Sequence, residues 1–193
     1  MKKTAMAMMA AMALVATMAA QAAPVTYQFD PDHTYPSFEA DHFGGISVWR
    51  GKFTQSSGKV VVDAAKKTGQ LEAVINMDSF DSGNAALNNH AKGPEILDVA
   101  KYPTAVYKGT LSQFKQGKPT QVVGQLTLHG VTKPLNLKVN AFKCFVNPMS
   151  KKETCGADAS AKFDRSDFGI AYGKDFGFKM QTTLRIQVEG IRE

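Results

Sequence analysis

The stretch Gly124-Gln-Leu-Thr-Leu-His-Gly-Val-Thr-Lys-Pro-Leu-Asn-Leu137 decides the fold of this chain. Before Gly130, Leu126 and Leu128 alternate with polar residues, and after it apolar and polar residues alternate again over 135–139. Alternation with a period of two on both sides of a glycine is typical of an antiparallel β-hairpin with one apolar face. The stretch therefore predicts two paired strands of an antiparallel sheet.

Similar alternating runs, separated by turns that contain glycine or proline, recur along the chain. The predicted strands cover residues 25–29, 37–43, 46–54, 59–63, 71–76, 104–114, 121–129, 131–145, 157–163 and 179–189. Ser56-Ser57-Gly58 is predicted to be the turn that closes the third strand. Many strands of similar length favour a barrel or a sandwich, and closure leaves no exposed edge. We predict a mainly all-β fold, a closed antiparallel β-barrel of about eight strands with a short helical segment.

The helical segment lies in the middle of the chain, where the period changes. Helix-forming residues fill 84–92, and Asp81, Ser82 or Asn84 is available as the N-cap. Gly93-Pro94 interrupts this helix, and residues 95–100 are predicted to form a second helical turn.

Residues 1–22 have the pattern of a secretory signal peptide. Lys2 and Lys3 precede an uncharged Met- and Ala-rich run, and Ala20-Gln21-Ala22 is a small-x-small cleavage pattern. We expect residues 23–193 to form one exported, periplasmic domain, because this length suffices for one buried core. No later segment reaches the roughly 18 apolar residues that a membrane span needs.

The net charge and its distribution say little about the partners of the protein. Removing Lys2 and Lys3 lowers the net charge from +6 to +4, and the basic residues are scattered. This favours a solvated surface, with a weak preference for anionic lipid surfaces as the alternative. No basic run with interleaved aromatic residues suggests a nucleic-acid partner.

The two cysteines, Cys144 and Cys155, flank a polar, turn-like insert. In an oxidising compartment such a pair predicts a disulfide, and two free thiols are the alternative. No CxxC spacing supports a metal site.

Six fragments along the chain stand in an order that matches a known family. They are His33…Phe38…His42-x-Gly44; Val48-Trp-Arg-Gly-Lys-Phe53 with Gly58 and Asp63; Asp81-Ser-Gly83 with His90, Lys92, Leu97-Asp-Val99 and Lys101-Tyr-Pro103; Leu128-His-Gly-Val-Thr-Lys-Pro134; Arg165-Ser-Asp-Phe-Gly-Ile170; and Val188-Glu-Gly190. This combination resembles the YceI-like family of secreted lipid-binding β-barrels. The resemblance implies a lipocalin-like barrel whose apolar tunnel binds a long isoprenoid lipid or a similar amphiphile, such as a quinone, with no other cofactor.

The chain departs from the family pattern in the central block. The family often carries Arg-Asp-x-His, whereas Leu87 and Asn88 precede His90 here. The usual Leu-Arg after this histidine is Ala91-Lys92. Two charges that the family often has beside the tunnel are therefore absent, and the resemblance does not identify the headgroup of the ligand.

Alternation along the strands predicts which residues face the interior and contact a lipid. These are Phe38, Ala40, Leu71, Ala73, Ile75, Leu126, Leu128, Leu137, Val139, Leu184 and Ile186. A packed core is the alternative for each of them. The residues predicted at the entrance or headgroup are His90, Arg165, Tyr172, Phe176 and Phe178.

The segment 169–178 is a Gly/aromatic loop with two interpretations. Its aromatic residues, with Phe168, either gate a lipid entrance or fold back as a simple lid. Arg165 and Lys174 are expected near an anionic headgroup.

Catalytic and metal chemistry find little support. The four histidines lie in four segments without HxH or HExxH spacing, and there is no GxSxG motif. We expect His33 and His42 to bond to the backbone at strand ends, and His129 to serve the turn at Gly130. Asp164 and Asp167 are interpreted as turn caps. We therefore predict no enzyme, no catalytic residue and no metal.

The sequence favours a lipid carrier in the periplasm, with an isoprenoid-type lipid as partner. One alternative is a filled barrel that acts as a protein-interaction or stress-response module and docks on a membrane partner. Another is an enzyme acting on an isoprenoid headgroup through Asp167 and His90. The sequence does not distinguish a filled interior from a hollow one, and it leaves the oligomeric state open, a homodimer included.

Overall fold

The computed structural model describes residues 23–193; the predicted signal peptide, residues 1–22, lies outside the described residues. The strands are β1 Val25–Phe29, β2 Tyr35–His42, β3 Ser47–Phe53, β4 Ser56–Asp63, β5 Thr68–Asn76, β6 Phe80–Asp81, β7 Thr104–Ser112, β8 Gln121–Leu128, β9 Val131–Pro134, β10 Leu137–Val146, β11 Glu153–Asp164 and β12 Gln181–Arg192. The helix α1 is Ala85–Lys92, and short 3-10 helices cover Met77–Ser79, Arg165–Phe168 and Lys174–Phe176.

The sheet closes into an antiparallel barrel, as the sequence predicts. The eight strands that form the ring follow the order β1-β4-β5-β7-β8-β10-β11-β12, and β12 pairs with β1 to close it. The long strand β12 also pairs with β2 through its first half, and β2 continues to β3 and β6. These three strands extend the wall beyond β1, β4 and β5 at one end of the barrel.

The hairpin predicted from residues 124–137 is present, with a tight turn. His129 and Gly130 both have positive φ, 51° and 76°, as a type I′ turn requires. The register places Leu128 opposite Val131 and Leu126 opposite Lys133.

The prediction of one continuous strand over 131–145 is wrong. β9 ends at Pro134, which has no N–H to continue the ladder, and β10 begins at Leu137. The backbone N–H of Gly124 instead donates to the side-chain oxygen of Asn136, at 3.3 Å. A side chain therefore replaces a ladder bond at the break.

The predicted turn at Ser56-Ser57-Gly58 is also wrong, because these residues begin β4. Gly58 pairs with Ala73 of β5 and has a φ of +150°. The ring of Phe29 lies over Gly58, so that a Cβ there would be only 2.8 Å from Phe29 Cε2. Glycine is needed here for close packing within a strand.

The helix is confirmed, with Asn84 as its cap. The side-chain oxygen of Asn84 accepts a bond from Leu87 N at 3.1 Å. The second helical turn predicted over 95–100 is wrong. The chain folds back instead, and the backbone N–H groups of Leu97 and Asp98 donate to the carbonyls of Ala91 and Gly93 at 3.0 and 2.8 Å.

The alternation of antiparallel strands gives the barrel two distinct ends. The helix end carries α1, the His129-Gly130 turn and the 169–180 loop. The turn end carries the 64–67, 113–120 and 147–152 turns. Within residues 23–193 no helix is long and apolar enough to span a membrane.

The predicted disulfide is present near the turn end. Cys144 of β10 lies opposite Cys155 of β11, and their sulfur atoms are bonded. The bond ties the base of the hairpin whose tip is the 147–152 turn.

Candidate ligand-binding cavity

The barrel is hollow. Its interior holds a cavity of about 950 Å³, at the upper end of the range of small-molecule sites, roughly 300–1,000 Å³. The lining reaches Leu87 and Phe176 at the helix end, and Pro119 and Cys144 at the turn end. The cavity therefore runs along the barrel axis.

All eleven residues that alternation assigned to the interior lie on the cavity wall. These are Phe38, Ala40, Leu71, Ala73, Ile75, Leu126, Leu128, Leu137, Val139, Leu184 and Ile186. They lie on β2, β5, β8, β10 and β12, and they share the inner face because every second residue of a barrel strand points inward. Their contact with a ligand stays a prediction.

Several wall residues were not predicted from the sequence. Val60 and Val62 of β4, and Ala105 and Tyr107 of β7, line the same cavity. The residues between them, Val61 and Val106, are also apolar, so alternation gave no clear signal there. Tyr107 spans the wall, and its hydroxyl donates to the carbonyl of Leu135 at 2.9 Å.

Aromatic rings surround the cavity at the helix end. Phe178 contacts His42 and Phe43 with centroids 5.3 and 4.7 Å away, and His90 of α1 meets Tyr172 edge to face at 5.0 Å. The five residues predicted at the entrance, His90, Arg165, Tyr172, Phe176 and Phe178, all line the cavity. Phe43 and Phe176 are 50% and 66% exposed, so this rim is apolar on its outer side too.

Arg165 is a half-buried cation on this apolar wall. Its Nη1 and Nη2 atoms donate to the carbonyls of Ile170 and Tyr172 at 2.9 and 2.6 Å, which holds the loop in place. Burial lowers the pKa of the guanidinium, although arginine stays charged at neutral pH. Among residues 23–193 no carboxylate forms an ion pair with it.

The family model of the YceI-like domain matches residues 27–190, which is nearly the whole described chain. The chain belongs to the YceI-like family. It is 31% identical to a UPF0312 protein of Shewanella sp. (strain W3-18-1) and 31% identical to Protein YceI of Salmonella arizonae, in both cases over 100% of each chain.

Solved structures share the fold of this YceI-like domain. Burkholderia cenocepacia BcnA has a TM-score of 0.65 and 22% identity, over 83% of this chain and 98% of its own. A polyisoprenoid binding domain from Saccharophagus degradans, implicated in plant cell wall breakdown, has a TM-score of 0.62 and 14% identity, over 86% and 98%. At these identities the likeness establishes the fold.

Trp49 gives the YceI-like cavity an unused hydrogen-bond donor. It lies on the wall, packed against Phe38 and Phe80 with centroids 6.2 and 5.8 Å away. Its indole Nε1 is buried and has no acceptor among residues 23–193. Leaving such a donor unpaired costs about 1–3 kcal/mol, so an acceptor supplied by a ligand would be favourable.

Two of the sequence interpretations need correction at this end. Phe168 does not gate the entrance, because it is 2% exposed and packs against Phe163 at 5.3 Å. His42 contacts Phe43 and Phe178 through its ring rather than bonding to the backbone. His129 lies in the turn at Gly130 with a positive φ, but its Nδ1 contacts the carbonyl oxygen of Phe168 at 3.2 Å and so connects the turn to the segment 165–168.

His33 also differs from its prediction. Its Nδ1 contacts the Asp30 carboxylate at 2.8 Å instead of the backbone, and this bond raises the pKa of the imidazole. Glu189 lies close enough to join this pair as a metal ligand. His33 itself is exposed to solvent.

Two carboxylates accept hydrogen bonds within the segments that cover the helix end, and Asp164 caps the 3-10 helix Arg165–Phe168. Asp81 Oδ1 accepts from Gly83 N and Asn88 Nδ2 at 2.8 and 3.0 Å, and Asp164 Oδ1 accepts from the N and Oγ atoms of Ser166. These bonds lower the pKa of both carboxyl groups. The cap role predicted for Asp164 is therefore present.

Acid is expected to loosen this cover before the barrel itself. Because both pKa values are lowered by folding, each carboxylate stabilises the fold above the ordinary aspartate value of 3.8. That contribution is lost as the pH falls through the folded-state values. Hydrogen exchange should show lower protection factors in 85–92 and 165–168 at about pH 3 than at about pH 5, with β7 unchanged.

The matched controls are Asp81→Asn and Asp164→Asn. They should reproduce the loosening at neutral pH and remove its acid dependence. Equal protection of the cover at both pH values in the unmodified protein would contradict this account.

Proposed function

We propose that this protein is a periplasmic carrier that holds a polyisoprenoid, or a similar long-chain amphiphile such as a quinone, inside its barrel. The observation that carries the proposal is the apolar cavity of about 950 Å³ along the barrel axis. An apolar tube removes a hydrocarbon chain from water, which is favourable without any chemical step. The signal-peptide pattern of residues 1–22 supports the periplasm as the compartment.

The free energy available is large enough for stable carriage. Burial of one CH₂ group is worth about 0.8 kcal/mol before the costs of association and ordering. After those costs, large ligands gain roughly 0.3 kcal/mol per heavy atom. A chain of about 40 carbons then reaches about 12 kcal/mol, which corresponds to nanomolar affinity.

The polar groups at the helix end indicate where a headgroup would lie. Arg165 supplies a positive charge on the cavity wall, and Trp49 supplies an unused donor. Both favour a headgroup with acceptor oxygens, such as a phosphate or a quinone carbonyl. The Saccharophagus degradans domain, which shares the fold, is a polyisoprenoid binding domain, and this supports the same class of ligand here.

A substitution at Trp49 tests the headgroup contact. Trp49→Phe keeps an aromatic ring but removes the donor, so affinity for an acceptor-bearing ligand should fall about fivefold to tenfold. Affinity for a hydrocarbon of similar length without oxygen should stay the same, as fluorescence competition can measure. If the affinities for both ligands fell equally, the role of Trp49 would be limited to packing against the hydrocarbon chain.

The structure offers less to the two alternatives. The interaction-module alternative assumed a barrel filled by side chains, whereas the interior contains a cavity of about 950 Å³. For headgroup chemistry, His90 lines the cavity, whereas Asp167 is exposed and outside its lining. The two nominated residues do not converge on one point of the wall.

Native mass spectrometry of the protein purified from its own host tests the proposal. We expect a bound species that solvent extraction releases as a long-chain isoprenoid or related amphiphile. The delipidated protein should take up added polyprenol at a ratio of one to one. Repeated preparations without a bound species, combined with no uptake of added polyprenol or quinone, would overturn the carrier function.

A further inference from the structure

The turn end of the barrel, which the carrier function does not use, is rich in unpaired lysines. The exposed lysines of its turns and of the adjoining strand are Lys66, Lys67, Lys115, Lys118, Lys143, Lys151 and Lys152. Three carboxylates lie at this end: Asp63 is paired with Lys66 at 2.9 Å, Glu153 is paired with Arg192 at 3.0 Å, and exposed Glu193 follows β12. Across residues 23–193, no carboxylate lies within ion-pairing distance of the other six lysines.

Apolar side chains protrude from the middle of this basic surface. Met149 is 91% exposed, Val146 is 66% exposed and Phe145 is 47% exposed, all at the tip of the β10–β11 hairpin. The tip has a defined shape, because the side-chain oxygen of Asn147 accepts from Met149 N at 2.8 Å and from Ser150 N at 3.2 Å. The Cys144–Cys155 disulfide fixes its base.

The helix end lacks this combination of charge and apolar surface. Phe43 and Phe176 are exposed there, but charges of both signs alternate around them, as in Lys174-Asp175. A surface on which positive charge predominates complements an anionic one better than a surface of mixed charge does. Charge therefore distinguishes the turn end as a docking surface.

We propose that the turn end docks on a bilayer that contains anionic phospholipid, with its lysines among the phosphates and Met149, Val146 and Phe145 inserted at headgroup depth. Basic residues around protruding apolar side chains are typical of interfacial membrane binding. A protein partner would need a concave apolar site for a convex tip, which the bilayer does not require. This docking goes beyond the carrier function and stands whether or not the cavity holds a lipid.

The docked orientation brings the cavity to the membrane. Pro119, Phe142 and Cys144 belong both to the turn-end segments and to the cavity lining. The tail end of a bound lipid would then lie next to the bilayer.

Vesicle sedimentation of the mature protein tests the docking. Vesicles of phosphatidylcholine with phosphatidylglycerol should bind the protein at low salt, and binding should weaken as salt screens the charges. Lys151→Glu with Lys152→Glu should lower the affinity roughly tenfold or more, while Lys133→Glu with Lys162→Glu, the same charge change elsewhere, should lower it about twofold or less. Met149→Ser should lower it as well.

Three outcomes would overturn the proposal. They are an absence of binding at low salt, equal affinity for vesicles of phosphatidylcholine alone, and equal losses from the two charge-reversal pairs. The delipidated protein should bind the vesicles as the loaded protein does, so that failure of the carrier function leaves this result untouched.

Discussion

Replacing Ala159 with phenylalanine is expected to abolish uptake of a long polyprenol while the barrel stays folded. Ala159 lies in β11 between Val139 of β10 and Ile186 of β12, and all three line the cavity. A phenyl ring at this position would project into the lumen and block the path of a chain. We expect at least about a hundredfold loss of affinity, because carbons beyond the block lose their burial, each worth roughly 0.3 kcal/mol.

The thermal stability of the same variant distinguishes a hollow barrel from a packed one. In a packed core the added ring would force neighbours apart and cost about 1–3 kcal/mol. In an open lumen it buries apolar surface in empty space, and the melting temperature should stay unchanged or rise. Ala141→Phe, on the exposed side of β10, is the control and should retain uptake. Full uptake by Ala159→Phe would contradict the proposed path.

Replacing Gly58 with alanine is expected to destabilise the barrel severely. The new Cβ would collide with the carbonyl oxygen of Glu72 and with the ring of Phe29, and the φ of +150° is one that alanine rarely adopts. Strained backbone of this kind costs about 1–3 kcal/mol, and the collision with a neighbouring strand adds to it. We expect a total of about 3 kcal/mol or more, seen as a fall of roughly 6–12 °C in melting temperature.

Gly156→Ala is the matched control for this substitution. A Cβ on Gly156, also within a strand, meets its nearest neighbour, Glu189 Cγ, at an ordinary 3.6 Å. Its melting temperature should change by only about 2 °C. If Gly58→Ala were tolerated equally well, the close packing of β4 on β5 would not be needed for the fold.

The barrel and its inward faces followed from the sequence because both depend on local alternation. Leu126 and Leu137 face the lumen, since every second residue of a strand shares a side and an apolar side must leave the water. The alternation of apolar and polar residues was therefore sufficient to predict many residues of the cavity wall. Val60 and Tyr107 were missed because their neighbours Val61 and Val106 are apolar too, so the two faces of these strands are not distinguished by sequence.

The errors arose where a contact distant in sequence decides the local structure. Gly58 resembles a turn residue until the ring of Phe29 is placed over it. The break after Pro134 depends on the bond from Gly124 to the Asn136 side chain. The contact between Phe29 and Gly58 has no signature in the neighbouring residues, which is why propensity predicted a turn there. The break had a local signal in Pro134, which cannot donate to the ladder, but the alternation on both sides of it favoured one unbroken strand.

The cavity itself was beyond the sequence for a related reason. Ile186 on one wall has the same pattern whether it meets a side chain across the barrel or open space. Only the ring of strands fixes the diameter of the lumen, and the ring is a property of the whole sheet. The unpaired Nε1–H of Trp49 could not be predicted from the sequence either, because its lack of an acceptor depends on all the residues that surround it in the fold.

A crystal structure of the protein loaded with polyprenol tests the central claim most directly. We expect a continuous tube of density along the barrel axis, in contact with Leu126, Leu137 and Ile186, with its headgroup near Trp49 and Arg165. A lumen filled by side chains that meet across the axis, or by ordered water while the polyprenol binds elsewhere, would contradict it.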